Sequence, residues 1–309
     1  MDRFEAMRTL LAAVDRGSLS AASRAIGVPL PTVSRRVSDL EAHLGTQLLV
    51  RTSRKLILTE AGAAYVASVR RVLEELGEAE RAASGEYRAP RGELLVTAPI
   101  MFGKLHVAPI VHEFLGVYPD VTVRLVLADN VIDLVENHVD VALRIGNLPD
   151  SSLIARRVGH VGWVVCASPA YLARRGEPAT PAELAGHDCI AFEGLQTYRS
   201  WPFGVGTGGA IVTIHPRFSV NTADAVIAGA VAGLGFARMM SYQAAPAVAD
   251  GLLKPVLEHY APTVTPVHLV HVAQPLQPLK QRAFMDFVAP RLTLALERVG
   301  RTFDRGADQ

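Results

Sequence analysis

Two helical segments separated by a Gly/Pro turn run from Ser20 to Gly45, in SAASRAIGVPLPTVSRRVSDLEAHLG, and no other stretch restricts the fold as tightly. Ser20 is placed to cap the first helix, and Gly27 ends it, since glycine reaches the left-handed conformation that closes a helix. The small residues Ala21, Ala22 and Ala25 let a neighbouring helix approach closely. Pro29 and Pro31 flank the turn, and a proline in a first helical turn loses no hydrogen bond, because the N–H it lacks had no partner there. Val33, Val37, Leu40 and Leu44 then recur at steps of four, three and four and share a buried face. The other side shows Thr32, Ser34, Arg35, Arg36 and Ser38. Upstream, Phe4, Met7, Leu10, Leu11 and Val14 lie along one face of a helix that stops at Gly17. The pattern predicts a helix-turn-helix.

After Gly45 the run QLLVRTSRKLIL reads as a hairpin with Thr52–Lys55 at its tip, a wing carrying Arg51, Arg54 and Lys55. The whole chain has a net charge of only +1, yet from Arg24 to Lys55 six Lys/Arg face two acidic residues, Asp39 and Glu41, a net of +4. A positive segment in a near-neutral chain implies one charged surface. Arginine binds guanine edges or phosphates, and hydroxyls do either more weakly, so the second helix and the wing fit a DNA groove. Next, Thr59 caps a helix running to about Ser84, with Glu60 favourable at the positive end of its dipole. Along it Tyr65, Val69, Val72, Leu76, Ala79 and Ala83 alternate at steps of four and three, which predicts a coiled-coil dimer seam; packing on its own domain is the alternative.

Residues 86–92 (EYRAPRG) form a polar linker, and beyond it the patterning changes. Short apolar runs read as strands at 94–97, 121–127, 141–145, 161–166, 189–192, 210–214, 235–238 and 267–272, with helices at 104–117, 131–138, 222–233 and 278–298. Such alternation implies parallel strands with crossover helices. The segment from Cys166 to about Pro266 reads as an inserted second lobe, because a strand and the last helix remain to complete the first. Two such lobes enclose a cleft at the carboxyl ends of their strands. The predicted organisation is a DNA-binding unit at 1–58, a dimerisation helix at 59–85, a hinge at 86–92 and an effector domain at 93–305. Lobe I spans about 93–165 and 267–305, lobe II about 166–266.

For a ligand in that cleft the strand end Thr97-Ala98-Pro99 and the helix start after it are the best position, since free N–H groups at a helix start suit an anion. Asn221 and Thr222 open a helix in the other lobe. Arg144, beside Ile145, is expected to meet an anionic ligand, or else Asp140 or Asp129. Ile100, Met101, Phe102 and Phe236 would accept an aromatic or alkyl body, with core packing as the alternative reading. The histidines show no metal spacing, and neither a GxSxG nor a dinucleotide fingerprint occurs. FGVGTGGA at 203–210 lacks the Lys-Ser/Thr ending of a phosphate loop and reads as a hairpin tip. Cys166 and Cys189 have no CxxC partner, no signal-peptide core follows Met1, and no uncharged apolar run reaches membrane-spanning length. The expectation is a cytoplasmic protein without membrane attachment, metal or cofactor, and not an enzyme.

With these residues in view the chain resembles a LysR-type transcriptional regulator over nearly its whole length. GSLSAASRAIGV, TVSRRVSDLEAHLG and QLLVRTSRKLILTEAG stand where that family has its winged helix-turn-helix. VDVALRIG, CASPAYLARRG and GLGFARM are similar to its regulatory-domain signatures. The resemblance implies a homodimer, often a dimer of dimers or homotetramer, on inverted-repeat operators in double-stranded DNA. It also implies a small organic effector, anionic or aromatic, in a two-lobed domain resembling periplasmic binding proteins, and RNA polymerase as a further partner. Pro31, Thr32, Ser34 and Arg35 fall on its DNA-reading positions, and Arg51 and Arg54 on its wing. Two departures stand out. Pro29-Leu30 replaces a common Ser-Gln pair, so Leu30 meets a thymine methyl rather than a base edge; Leu49 replaces a usual phenylalanine in the core. A second class of function stays open at this point: a small-molecule binding protein or enzyme with a basic assembly domain.

Overall fold

Asp2 opens the first helix, α1 (Arg3–Asp15), its Oδ1 accepting the amide N–H groups of Phe4 at 2.9 Å and Glu5 at 3.2 Å. The second, α2 (Leu19–Ile26), is capped by Ser18, whose Oγ accepts from Ala21 N at 3.1 Å. Ser20 is therefore not the cap expected above; Ser18 precedes it in extended conformation with the hydroxyl in reach, and Ser20 sits exposed in the first turn. Gly27 ends α2 at φ 69°, and α3 (Leu30–Leu44) begins after Pro29. Ala6, Leu10, Val37 and Leu40 form one apolar core with Leu48, Leu49 and Val66. Leu44, expected in that core, is 38% exposed because the helix ends at Gly45 before its face meets a neighbour. The strands β1 (Leu49–Arg51) and β2 (Leu56–Leu58) pair antiparallel, Leu49 opposite Leu58.

The structure is a computed structural model and describes residues 1–51, 56–83, 89–149, 152–193, 199–204, 209–261, 264–274 and 277–304. It divides into two units, Met1–Arg88 and Ala89–Gln309. The first ends with the long helix α4 (Glu60–Ala83). Thr59 caps it as expected, accepting from Gly62 N at 2.9 Å while its own hydroxyl donates to Gln47 O at 2.8 Å. A Cβ at Gly62 would lie 2.0 Å from the Leu48 carbonyl oxygen, so only glycine lets α4 start this close to the hairpin.

In the second unit β3 (Gly92–Ala98) alternates Leu94, Val96 and Ala98 onto a core shared with the helical run after it and with α10 (Leu279–Asp304). That run comprises α5 (Ile100–Phe102), a π-helical turn (Gly103–Val107) and α6 (Ala108–Val117). By length and composition Ile100–Val117 could cross a membrane, but Phe102, Val107, Ile110, Val111 and Phe114 bury it in the first-lobe core. With β4 (Val121–Leu127), β5 (Val141–Ile145), β6 (Leu153–Val161) and β14 (Thr265–Val272), β3 makes a sheet of order β4-β3-β5-β14-β6. A second sheet has order β11-β8-β12-β7-β13, from β7 (Trp163–Ala167), β8 (Cys189–Phe192), β11 (Pro216–Val220), β12 (Phe236–Met240) and β13 (Lys254–Val256). A hairpin of β9 (Ser200–Phe203) and β10 (Ala210–Thr213) flanks residues 205–208, which lie outside the described residues.

Four expectations change here. The sheets are mixed, not parallel: β14 runs antiparallel to β5 and β6, and β12 to β7, because the connections cross between lobes instead of returning over one sheet. The strand expected at 161–166 is two strands, β6 ending the first sheet at Val161 and β7 opening the second at Trp163, so the crossover falls at Gly162. Residues 134–138 form turns and 131–133 no regular structure, so the helix expected at 131–138 does not form. Asp133 Oδ1 takes the N–H groups of Val135 (2.8 Å) and Glu136 (2.9 Å), and His138 turns left-handed at φ 55° within one turn of that start. β6, β9, β11, β13 and the helices α7 (Pro169–Arg175) and α9 (Ser241–Ala249) escaped the sequence reading; β6 is an exposed edge strand whose LIARR lacks a steady apolar alternation.

Candidate nucleic-acid interface and effector cleft

α3 presents opposite chemistry on its two sides. Val33, Val37 and Leu40 are fully buried, whereas Leu30 is 41% exposed and Pro31 and Arg35 face solvent. Pro29 supplies no side-chain cap, so the positive end of the helix dipole is left for an anion beside this exposed turn. Thr32 and Ser34 are half-buried at the same end. Arg35 makes no ion pair among the described residues, which leaves its guanidinium for a phosphate or a guanine. Arg36, placed with it by sequence, is instead tied to Glu5 of α1, Nη2 to Oε2 at 2.5 Å. It braces α3 against α1. The sequence alone could not separate the two arginines, since the deciding carboxylate lies thirty-one residues away.

The wing is anchored by a residue counted above only for its charge. Glu41 Oε1 accepts the N–H groups of Leu48 at 2.8 Å and Leu49 at 3.0 Å, fixing the turn from α3 into β1. Arg51 ends β1, while Arg54 and Lys55 lie in 52–55, outside the described residues. On α4 the expected seam divides. Val69 is 2% exposed and Tyr65 packs against the unit's own core, so the start of the stripe serves its own fold. Val72 is 44% exposed and Leu76 half-buried; the side chain of Ala79 lies outside the described set.

In the effector unit Pro99, Ile100 and Met101 are accessible at the start of the 100–117 run, and Asn221 and Thr222 are exposed before α8 (Ala223–Val231). Lys104 Nζ lies 3.7 Å from Asp224 Oδ2, so the two helix starts do face each other across the lobes. The first is already partly satisfied: Ile100 N donates to Asp129 Oδ1 at 3.0 Å. Ala98, Phe102 and Phe236 are fully buried core residues instead of cleft walls. Thr97 is 1% exposed, its Oγ1 buried without a hydrogen bond. Arg144 Nη2 donates to the Ile132 carbonyl at 2.5 Å, a backbone partner the sequence reading did not name, and burial lowers its pKa. Ile145 beside it is half-buried. Gly235 in GLGFARM, at φ 155°, would put a Cβ 2.2 Å from the Asp188 carbonyl, so that motif is a close strand-to-turn approach. Cys166 and Cys189 are buried and free, their thiols pushed up to about 12 by burial, which makes them poor nucleophiles. Among the described residues no His/Cys/Asp/Glu group could hold a metal ion.

Comparison with known proteins agrees with this anatomy. Residues 4–63 match the family "Bacterial regulatory helix-turn-helix protein, lysR family", and residues 88–293 match "LysR substrate binding domain". A transcriptional regulator of Xanthomonas campestris is 36% identical, covering 90% of this chain and 82% of its own. CrgA of Neisseria meningitidis is 33% identical over 93% of this chain and 96% of its own. The solved structure of CrgA, a LysR-type transcriptional regulator, gives a TM-score of 0.61 at 32% identity, covering 93% of this chain and 98% of that one. Full-length AphB, a virulence activator of Vibrio cholerae, gives 0.59 at 29% identity, covering 92% and 97%. None of these supports an enzyme with an assembly domain. The chain belongs to the LysR family of transcriptional regulators, joining a DNA-binding helix-turn-helix to a two-lobed effector-binding domain.

Proposed function

We propose that this regulator binds an inverted-repeat operator as a homodimer in the cytoplasm, paired through the exposed stretch of α4 around Val72 and Leu76. Dimers of dimers extend the contact to a second half-site, where RNA polymerase is a natural partner, and no catalytic step is involved. Arg35, Leu30 and Pro31 contact the DNA, supported by Ser20, Thr32 and Ser34, while the wing residues Arg51, Arg54 and Lys55 hold phosphates. The observation that carries this reading is the exposed, uncapped start of α3, with Arg35 outside a core formed by Val33, Val37 and Leu40. A small organic effector occupies the cleft between the two facing helix starts, with Ile100 and Met101 against its apolar part and Asn221 and Thr222 on the opposite side. Because Asp129 already takes the Ile100 N–H, an effector without a carboxylate aimed at that helix start is favoured.

A gel-shift assay with the promoter of the protein's own gene tests the reading. Specific binding should fall steeply with salt, as phosphate contacts release counterions. Arg35→Ala should lose it while remaining folded and dimeric; undiminished binding by that variant overturns the assignment. Leu30 offers a finer test. Replacing the thymine that faces it by uracil removes one methyl group and should weaken binding, and an unchanged affinity would remove Leu30 from the interface.

A further inference from the structure

Behind the crossover between the lobes lies a cavity of about 610 Å³, within the roughly 300–1,000 Å³ of small-molecule sites. Its walls are His160–Val165 at the β6–β7 crossover, residues from Val256 to Ala261 with Val264, and the end of α10. None of Pro99, Ile100, Met101, Arg144, Asn221 or Thr222 borders it, so it is separate from the cleft described above. Apolar side chains dominate, among them Val161, Val165, Phe203, Leu296, Val299 and Phe303.

One group in it is out of keeping with those walls. Arg238 on β12 is 6% exposed, and its guanidinium carbon sits 4.1 Å from the centroid of the Trp163 ring. No hydrogen bond or ion pair is formed by its side chain among the described residues, and burial lowers its pKa to about 10. A buried cation with no counter-ion is costly, and a bound anion offsets that cost. Contact with the indole face holds the guanidinium in place, and its N–H groups can take a carboxylate in two parallel bonds. The acid on the wall, Glu258, is exposed at the rim, with His160 and His259 also exposed there.

We propose that this cavity is a second small-molecule site, taking a compact monocarboxylate with an aromatic or apolar body. Arg238 holds the carboxylate, Trp163 orients Arg238, and the apolar walls hold the body. The proposal goes beyond the interlobe effector and does not rest on it.

The test is calorimetric titration of the full-length protein with benzoate, and with benzamide as its uncharged counterpart. Benzoate should bind, benzamide roughly tenfold more weakly or worse, as expected when a charge-assisted hydrogen bond is lost. Arg238→Gln should lose benzoate by a similar factor. Gly300→Leu keeps Arg238 but fills the cavity from α10, where a Cβ meets nothing within 4 Å, and should also lose it. If benzoate binds both variants as it binds the unaltered protein, it occupies another site and the proposal fails. It fails equally if the unaltered protein shows no benzoate binding at millimolar concentration, or no preference over benzamide. The heat is read without DNA, so a failed operator assay and a failed titration remain distinguishable.

Discussion

The two units use arginine in opposite ways. In the N-terminal unit Arg35 stands exposed on α3, and Arg36 and Arg70 pair at the surface with Glu5 and Asp15. In the effector unit Arg144 is half-buried and spends a donor on the Ile132 carbonyl, while Arg238 is buried against Trp163. An exposed guanidinium keeps its hydration until a phosphate replaces that water, so its charge costs the fold little and attracts a partner at long range. A buried one has lost its water already and is useful only where a ligand or a carbonyl replaces it. One unit is built to meet a charged polymer at its surface, the other to take a small molecule inside.

The largest effect expected tests whether the two units unfold independently. Leu40 is fully buried among Ala6, Leu10, Val37 and Leu48 in the first unit. Leu40→Ala should remove about 3 kcal/mol from that unit, the usual cost of truncating a buried leucine. Urea denaturation followed by circular dichroism should show an earlier first transition and an unmoved second one. If both transitions shift together, the units fold as one and the comparison loses its basis.

Arginines 35 and 36 sharpen it next. Arg36→Ala breaks an ion pair whose side chains are 26% and 54% exposed, so after solvent screening the loss should stay below about 1 kcal/mol. Arg35→Ala should change stability by less than about 0.5 kcal/mol, as an exposed residue without a described ion pair does. In DNA binding the order reverses, with Arg35→Ala the more damaging. Equal effects of the two on operator affinity would mean that Arg36 leaves Glu5 when DNA arrives.

How far each unit was legible in the sequence follows from the same contrast. α3 and its buried face were readable because a helix repeats every few residues and its inner and outer faces differ in polarity. Even there the reading stopped where tertiary partners decide: Ser18 capped in place of Ser20, Glu5 claimed Arg36, and Tyr65 and Val69 turned inward. In the effector unit the apolar strands could be listed but not ordered, and β6, β9, β11 and β13 were missed, since short or exposed strands and the crossover at Gly162 leave no mark in hydropathy. Phe102 and Phe236 share the composition of a ligand pocket and of a core, and only packing tells them apart. Arg238, near the end of GLGFARM, gave no sign of its isolation, because what singles it out is the lack of a hydrogen-bonding or ionic partner among the described residues around it.

The smallest effect expected is a pH dependence confined to the effector unit. His106, in the π-helical turn, stands 4.8 Å from the Phe102 ring and 5.9 Å from that of Tyr242, ring centroid to ring centroid. Its Nε2 is buried without a hydrogen bond, and burial lowers its pKa below the usual value. Tyr242 is shifted upward, chiefly by burial, so its hydroxyl stays protonated and offers no negative charge to an imidazolium. The unfolded chain therefore takes up the His106 proton first as pH falls. The neutral ring's contribution is fully present above about 6.5 and is lost as pH drops from there toward the folded pKa. His268 is lowered as well, by burial first and Arg157 second, and adds to stability with the same sign. His106→Phe should thus flatten the pH dependence of the effector unit's unfolding midpoint below 6.5 without abolishing it, whereas the first unit's midpoint should not respond to that change. A variant that keeps the full slope would place the titrating group elsewhere and return His106 to an ordinary, partly hydrated position.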